Sequence, residues 1–262
     1  MAVLTSDIKF YGSASMPTGD IASPGGAIDT TTKVTFTDMA NTTGLVMSTN
    51  GLADEVQVDV TGRNAGGSIV SDKFTMFQTL AIQTGSSATA FERILRMAVS
   101  SGSHTGTITI TQDDSPTWTA IGTMENGVDK IYRPFYRASS ASANAKEYFE
   151  KIFVKNNSVT NNLLSAYVAE SGEVGFSSKI SFDLCSSGND NGASSNNRLG
   201  PPPGTQLLSA QTGTGFDSAA KAVVSGDLIL GENQGIWLKL DLAAGTAGDK
   251  GSWNVTVSGE TT

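Results

Sequence analysis

Hydrophobic and polar residues alternate along much of this chain. The alternation is clearest in Lys33 to Thr37, Glu55 to Val60, Thr107 to Thr111 and Lys179 to Leu184. Successive side chains of a strand point to opposite faces of a sheet, so a period of two indicates strands with one buried and one solvated face. The pattern therefore predicts a chain built from short β-strands.

Two further alternating segments lie near the C-terminus. Apolar residues recur at every second position from Ile236 to Leu242, and the same pattern returns from Trp253 to Val257. A Gly-rich stretch separates the two segments. We predict that they form a hairpin, with Ala243 to Ser252 as its loop.

Helix and strand compete in two places. Residues Phe91 to Val99 also satisfy helical spacing, but the segment is shorter than a typical helix of about 11–12 residues, so a strand is favoured. Residues Asn144 to Lys151 are compatible with one or two helical turns. The sequence as a whole predicts an all-β fold with short turns and little helix.

The length favours two domains. At 262 residues the chain exceeds the common domain size of about 100–150 residues. A stretch of small residues between Arg137 and Lys146 offers a boundary. We predict two β-sandwich domains, immunoglobulin-like or jelly-roll-like, spanning residues 1–138 and 139–262. A second long loop, Ser186 to Gly204, is typical of a functional or mobile segment.

The charge pattern argues against nucleic-acid and membrane partners. The net charge is −8, and the only local basic grouping consists of Lys130, Arg133 and Arg137. Nucleic-acid binding requires clustered basic side chains, and a membrane span requires about 20 apolar residues in succession. The first residues also lack a secretory signal pattern, so we expect synthesis in a cytoplasm without a signal peptide.

Few residues suggest catalysis. His104 is the only histidine, and without a Gly-x-Ser-x-Gly elbow it is expected to be a solvated turn residue. Asp113 and Asp114 precede Ser-Pro and are explained by a turn. Glu170 and Glu173 are the nearest approach to paired carboxylates. No catalytic residue is predicted, although a carbohydrate-active enzyme with two acids converging in a cleft is an alternative from another class.

No cofactor or metal site is predicted either. The segment Gly188 to Gly192 has one carboxylate and lacks the alternating acids of a calcium loop. The segment Gly213 to Gly215 opens no helix after a strand, as a phosphate-binding loop would. Cys185 is the only cysteine, which excludes an intramolecular disulfide and a Cys-based zinc cage.

The aromatic side chains have two interpretations. They could stack on sugars, but such residues more often fill a core or an interface because each buries a large apolar area. We favour a core or interface role for this set: Trp118, Trp237, Trp253, Tyr132, Phe135 and Tyr136.

Several short segments carry a resemblance to a known group of proteins. The opening Ser6 to Ser13, followed by Gly25 to Ile28, resembles the start of tailed-bacteriophage virion structural proteins. Further short segments in both halves of the chain carry the same resemblance: Ala90 to Arg93, Glu147 to Asn156, Gly235 to Leu240 and Val257 to Thr261. The resemblance implies a component of the phage particle and carries over no catalytic residue.

The resemblance implies a capsid decoration or cement protein that is non-enzymatic and resides in the virion. Its expected partners are the major capsid protein or other virion proteins and further copies of itself, with a trimer as the working oligomer. A tail or baseplate component that touches host glycans is the alternative within the particle. A bacterial adhesin module is a third reading, disfavoured by the missing export signal.

Overall fold

The computed structural model describes most of the chain, in eleven stretches. They are residues 3–16, 25–35, 37–52, 54–76, 85–86, 89–136, 144–174, 179–187, 198–208, 215–245 and 251–261. The candidate loop at 188–192, residues 213 and 214, and most of the predicted boundary between Arg137 and Lys146 lie outside these stretches.

The regular structure of the described residues is mainly β-strand, with a short 3-10 turn at Gly204–Gln206. The all-β prediction is confirmed. No helix in this part of the chain has the length and apolar character needed to cross a bilayer. The strands are β1 (Ile8–Ser13), β2 (Ile28–Lys33), β3 (Leu45–Thr49), β4 (Glu55–Arg63), β5 (Ile69–Met76), β6 (Gly85–Ser86), β7 (Arg93–Ser103), β8 (Ile108–Gln112), β9 (Ala120–Met124), β10 (Lys130–Tyr132), β11 (Lys146–Asn156), β12 (Leu163–Val174), β13 (Lys179–Leu184), β14 (Lys221–Ala222), β15 (Asn233–Leu242) and β16 (Ser252–Thr261).

The chain divides into two compact units. Unit 1 comprises Met1–Asp29 and Arg137–Thr262, and unit 2 comprises Thr30–Tyr136. The division after Tyr136 lies close to the predicted boundary at residue 138. The first 29 residues, however, belong with the C-terminal part, because β1 pairs antiparallel with β11, from Ile8 opposite Asn156 to Gly12 opposite Ile152.

Unit 2 contains two groups of paired strands around one apolar core. The first group runs in the order β2, β10, β7, β4, β5, and the second in the order β6, β3, β8, β9. Inward-facing residues of both groups form one buried cluster, to which β4 contributes Val56, Val58 and Val60. Burying such apolar surface is the main stabilising contribution to a fold of this kind.

Unit 1 also contains two groups of strands, in the orders β13, β15, β11, β1 and β14, β12, β16. In the first group β15 lies between β11 and β13 and pairs with both. The two groups are in contact, since the Phe182 ring on β13 lies 6.1 Å from the Trp253 ring on β16. The sandwich form of each domain remains a prediction.

The predicted C-terminal hairpin is wrong. β15 pairs with β11 and β13, whereas β16 pairs with β12 in the other group of strands. The physical reason is that β15 is buried over most of its length and has a neighbour on each side. No edge of β15 is left for β16, so proximity in sequence did not decide the pairing.

Two other local predictions need correction. Residues 146 to 151 form the start of β11 rather than helical turns, because the strand is buried on both faces and so shows no alternation. The strand predicted at Lys33 to Thr37 lies upstream instead, as β2 ends at Lys33. The segment at Phe91 to Val99 is confirmed as strand from Arg93 onward.

Candidate docking surface

Three loops meet at the end of β11 in unit 1 and expose aliphatic side chains. The loops are residues 3–7, 157–162 and 228–232, and we call them together the loop platform. Their exposed aliphatic residues are Leu4 (62%), Val159 (87%), Ile229 (40%) and Leu230 (50%). Single exposed apolar residues are ordinary, but a group of them on converging loops marks a candidate interaction site.

Asn156, the last residue of β11, fixes two of these loops. Its fully buried side chain donates from Nδ2 to the carbonyl oxygens of Asn161 and Leu228, each at 3.0 Å. Its Oδ1 accepts from the Ser158 amide at 2.9 Å. A buried amide that satisfies loop backbone groups in this way holds the loops in one conformation.

Two neighbouring asparagines complete the platform. The Asn157 backbone amide donates to the Asp7 carbonyl at 2.8 Å, which ties the loop 3–7 to the end of β11. The Leu230 amide donates to Asn162 Oδ1 at 3.0 Å. The exposed aliphatic side chains therefore stand on backbone that is already ordered, which reduces the entropy lost when a partner binds.

The platform carries little charge. Asp7 and Glu232 are its only ionisable side chains, and Asp7 Oδ2 is occupied by the Leu4 amide at 3.0 Å. A surface of this kind suits burial of apolar area against another protein. It lacks the clustered positive charge that a nucleic acid would require.

His104 is buried rather than solvated, contrary to the expectation from sequence. Its exposed fraction is 7%, with Nδ1 at 2.7 Å from the Gly106 carbonyl and Nε2 at 3.1 Å from the Val128 carbonyl. Both ring nitrogens are thus engaged with backbone oxygens. A histidine held in this way joins the turn after β7 to the segment before β10 and presents no free nitrogen to a nucleophile.

Asp54 organises the same end of unit 2, and sequence reasoning missed it. Its carboxylate accepts from the Thr105 amide at 2.7 Å, the Thr49 hydroxyl at 2.5 Å and the Gly106 amide at 3.2 Å. Burial would raise the pKa of Asp54, but these hydrogen bonds to the charged form outweigh it and hold the pKa below its usual value. The role is structural.

Asp114 holds the loop between β8 and β9. Its Oδ1 accepts from the Thr119 amide at 3.0 Å and its Oδ2 from the Thr119 hydroxyl at 2.8 Å. These bonds outweigh desolvation and lower the pKa of Asp114. The loop carries Trp118, which is 44% exposed and has a φ of 48°. A bulky residue rarely adopts that backbone conformation, so the loop holds the backbone of Trp118 under strain.

Glu170 and Glu173 are brought to one face of β12 by a bulge. Residues three apart on a regular strand point to opposite faces, but the register skips one residue of β12 between Glu170 and Gly172, where Gly172 has a φ of 134°. Glu170 lies opposite Val255 and Glu173 opposite Trp253. Glu173 is already engaged, since its Oε1 accepts the Ile180 amide at 2.5 Å.

The electrostatics of this pair follow from its position. Burial and the charge of Glu173 raise the pKa of Glu170. The indole N–H of Trp253 opposes the shift, although Nε1 and Glu170 Oε2 do not meet the geometry of a full hydrogen bond. Two carboxylates on one face resemble the acid pair of a glycosidase only in part, because Glu173 already accepts the Ile180 amide at the edge of β13.

The core of unit 1 contains charged side chains that the sequence pattern did not reveal. Glu150 and Lys151 on β11 are fully buried. Glu150 is paired with Arg198, and Lys151 Nζ lies 5.2 Å from the Phe153 ring centroid and 5.6 Å from that of Trp237. Ion pairing and cation–π contacts offset part of the desolvation of these charges. They belong to the packing of β11.

The aromatic residues divide as follows. Trp237, Tyr132 and Tyr136 are buried, in agreement with a core role, whereas Trp118 is exposed. Among the described residues no group of three or more histidine, cysteine, aspartate or glutamate side chains is placed to hold a metal ion.

Comparison with known proteins gives no relative. No family model matches the chain, and neither the curated proteins nor the solved structures contain a significant match. The functional interpretation therefore rests on the sequence and the geometry described above.

Proposed function

We propose that this chain is a non-enzymatic structural component of a tailed-bacteriophage particle, a decoration protein that binds the outside of the capsid shell. The observation that carries the proposal is the loop platform, where ordered backbone presents four exposed aliphatic side chains. Its docking partner is the major capsid protein.

The physical basis is repeated weak binding. Four aliphatic side chains bury modest area in one contact, and each large aliphatic side chain transferred from water contributes about 1.5–3 kcal/mol at most. A shell presents the same site many times. If several copies of the chain are linked to one another, their individual contacts add up to tight attachment.

Hydrogen bonds and buried ion pairs stabilise the fold in the absence of disulfide bonds. Cys185 is buried and forms no disulfide, so the fold depends on its cores and networks. The side chains of Asp54, Asp114 and Asn156 each secure a turn or a loop with several hydrogen bonds. Such a chain is suited to exposure on a particle surface.

The test measures binding to capsids of the phage that encodes the chain, prepared without it. Wild-type protein should bind at hundreds of copies per capsid, counted in a density map of the particle. Introducing an acid on the platform, through Val159→Asp and Leu230→Asp, should weaken binding at least about tenfold.

Leu52→Asp is the matched control, because Leu52 is 74% exposed on a turn of unit 2. It should bind like wild type. Failure of the wild-type protein to bind the capsid, or equal loss in the control and the platform variant, would contradict the proposal.

A second candidate is a tail or baseplate component that contacts host glycans. The observation that favours it is Trp118, whose exposed indole is held by the loop that Asp114 fixes. Exposed indoles stack on sugar rings. A copy number of a few dozen or fewer per particle, with loss of glycan binding in Trp118→Ala, would replace the first proposal by this one.

A further inference from the structure

We propose that the outer edge of β16 pairs with β16 of a second copy of this chain, forming a continuous sheet across a two-fold axis. The inference does not rest on the docking to a capsid proposed above. It rests on the backbone of β16 and on the residues that this strand carries.

β16 is a long strand at the end of its sheet. It spans ten residues, Ser252–Thr261, and pairs only with β12, since the order of the sheet is β14, β12, β16. Within the described residues no hydrogen bond reaches its other edge. An exposed row of backbone N–H and C=O groups is a template for another strand.

β16 is also regular. The pairing of β12 with β16 has two irregularities, between Leu164 and Tyr167 and between Glu170 and Gly172, and both place the extra residue on β12. Bulges are one means by which proteins protect an edge, and β16 has none. Its backbone is therefore extended and unbroken along the side that faces away from β12.

The side chains of β16 do not protect its edge. Glu260 is the only charged residue from Ser252 to Thr261, and the strand contains no proline. The other long edge strand, β5 in unit 2, carries Asp72 and Lys73 near its middle. Central charges, lysine above all, discourage strand addition.

The sequence of β16 complements itself in one antiparallel register. A two-fold axis perpendicular to the sheet at Thr256 places Thr256 opposite its own copy and Val255 opposite Val257. Trp253 then lies opposite Gly259, and Ser252 lies opposite Glu260, so no like charges face each other. Threonine pairs and aromatic residues opposite glycine are favourable cross-strand combinations.

The partner is therefore a second copy, and the product of this contact is a dimer rather than the trimer taken as the working oligomer from the resemblance. An isologous contact uses the same surface on both subunits, as an antiparallel pairing of one strand with itself requires. Larger assemblies would need a separate surface.

Cysteine cross-linking of the full-length protein tests both the contact and its register. Thr256→Cys places two thiols opposite each other, with Cβ atoms about 5 Å apart, within reach of a disulfide after small adjustment. Mild oxidation should convert most of this variant to a species of twice 27.1 kDa. Cys185 is buried and does not compete.

Two control variants, each with one introduced cysteine, sharpen the result. Asn254→Cys lies in the same strand and is also exposed, but its copy would be about 13 Å away along the strand, so it should not cross-link. Thr75→Cys, exposed on the edge strand β5, should remain monomeric.

The wild-type protein provides a measurement free of substitution. Sedimentation velocity should show a concentration-dependent dimer. A monomer at every concentration, or cross-linking of Thr256→Cys no greater than that of Thr75→Cys, would overturn the proposal. Neither result would decide whether the loop platform of a single copy contacts the capsid, which the platform variants test separately.

Discussion

The two long edge strands of unit 1 differ in how the rest of the chain contacts them. β13 ends one group of strands and β16 ends the other. On β13, the Ile180 amide is bonded to Glu173 Oε1 at 2.5 Å, and the Leu184 carbonyl accepts the Leu208 amide at 2.9 Å. Between them Phe182 exchanges two backbone hydrogen bonds with Asp217, at 3.0 and 3.3 Å.

β16 has no such closure among the described residues. Among the described residues a side chain and two loop segments close the edge of β13, and none closes the edge of β16. An edge closed in the monomer needs no partner. An edge left open over ten residues is an interaction surface or an aggregation hazard, and its self-complementary register favours the former.

The largest expected effect is on the free energy of unfolding, and it comes from the side chains that β13 and β16 pack into the interior of unit 1. Phe182→Ala on β13 removes a fully buried ring and should lower the free energy of unfolding by about 3–5 kcal/mol. Val257→Ala on β16 removes a partly buried side chain and should lower it by about 1 kcal/mol.

Urea denaturation of both variants measures the contrast. The comparison fails if Val257→Ala is as destabilising as Phe182→Ala, because β16 would then be as deeply packed as β13.

The next effect concerns association rather than folding. Asn254→Lys with Thr256→Lys should weaken the dimer at least about tenfold, equivalent to about 1.4 kcal/mol, because lysines at residue 256 face each other across the axis. Thr75→Lys adds the same kind of charge to an exposed position of β5 and should leave association unchanged.

Analytical ultracentrifugation compares the variants. An unchanged dissociation constant in the double variant would show that the dimer, if present, forms elsewhere.

The smallest effect is the contribution of Glu170 to the pH dependence of stability. Glu170 lies on β12, opposite Val255 of β16. Because its pKa is raised in the folded protein, the group destabilises the fold when ionised, and this loss is relieved as the pH falls through the raised pKa toward 4.5. Glu170→Gln should therefore remove a loss of stability that the wild-type protein undergoes as the pH rises through that window.

Thermal unfolding over the mildly acidic range measures this change. Since Glu170 is partly exposed, the difference should be small. A variant that loses more stability than the wild-type protein as the pH rises through this range would contradict the assigned direction.

The period of two in the hydrophobic and polar residues predicted many of the strands. The alternation of hydrophobic and polar residues predicted β4, β8, β13, β15 and β16. In β4 and β8 the side chains of one face are buried and those of the other face are more exposed, which is why the sequence alternates. β12 escaped notice since its two bulges interrupt the period of two. β11 resembled a short helix because Glu150 and Lys151 are charged yet fully buried.

The candidate surfaces were harder to predict. The run of asparagines from Asn156 to Asn162 is visible in the sequence, but its bonds to residues 7, 228 and 230 join segments distant along the chain. Whether an edge is open also depends on such distant segments. β13 and β16 show similar patterns, and among the described residues it is the bonds from Glu173, Leu208 and Asp217 that distinguish β13.

Hydrogen exchange on the wild-type protein tests the central claim most directly, because it compares the two edges in one sample without substitution. At low protein concentration the amides of β13 should exchange slowly, whereas the outward-facing amides of β16 should exchange fast. Raising the concentration should slow exchange in β16 and leave β13 unchanged. Exchange in β16 that is independent of concentration would contradict the account.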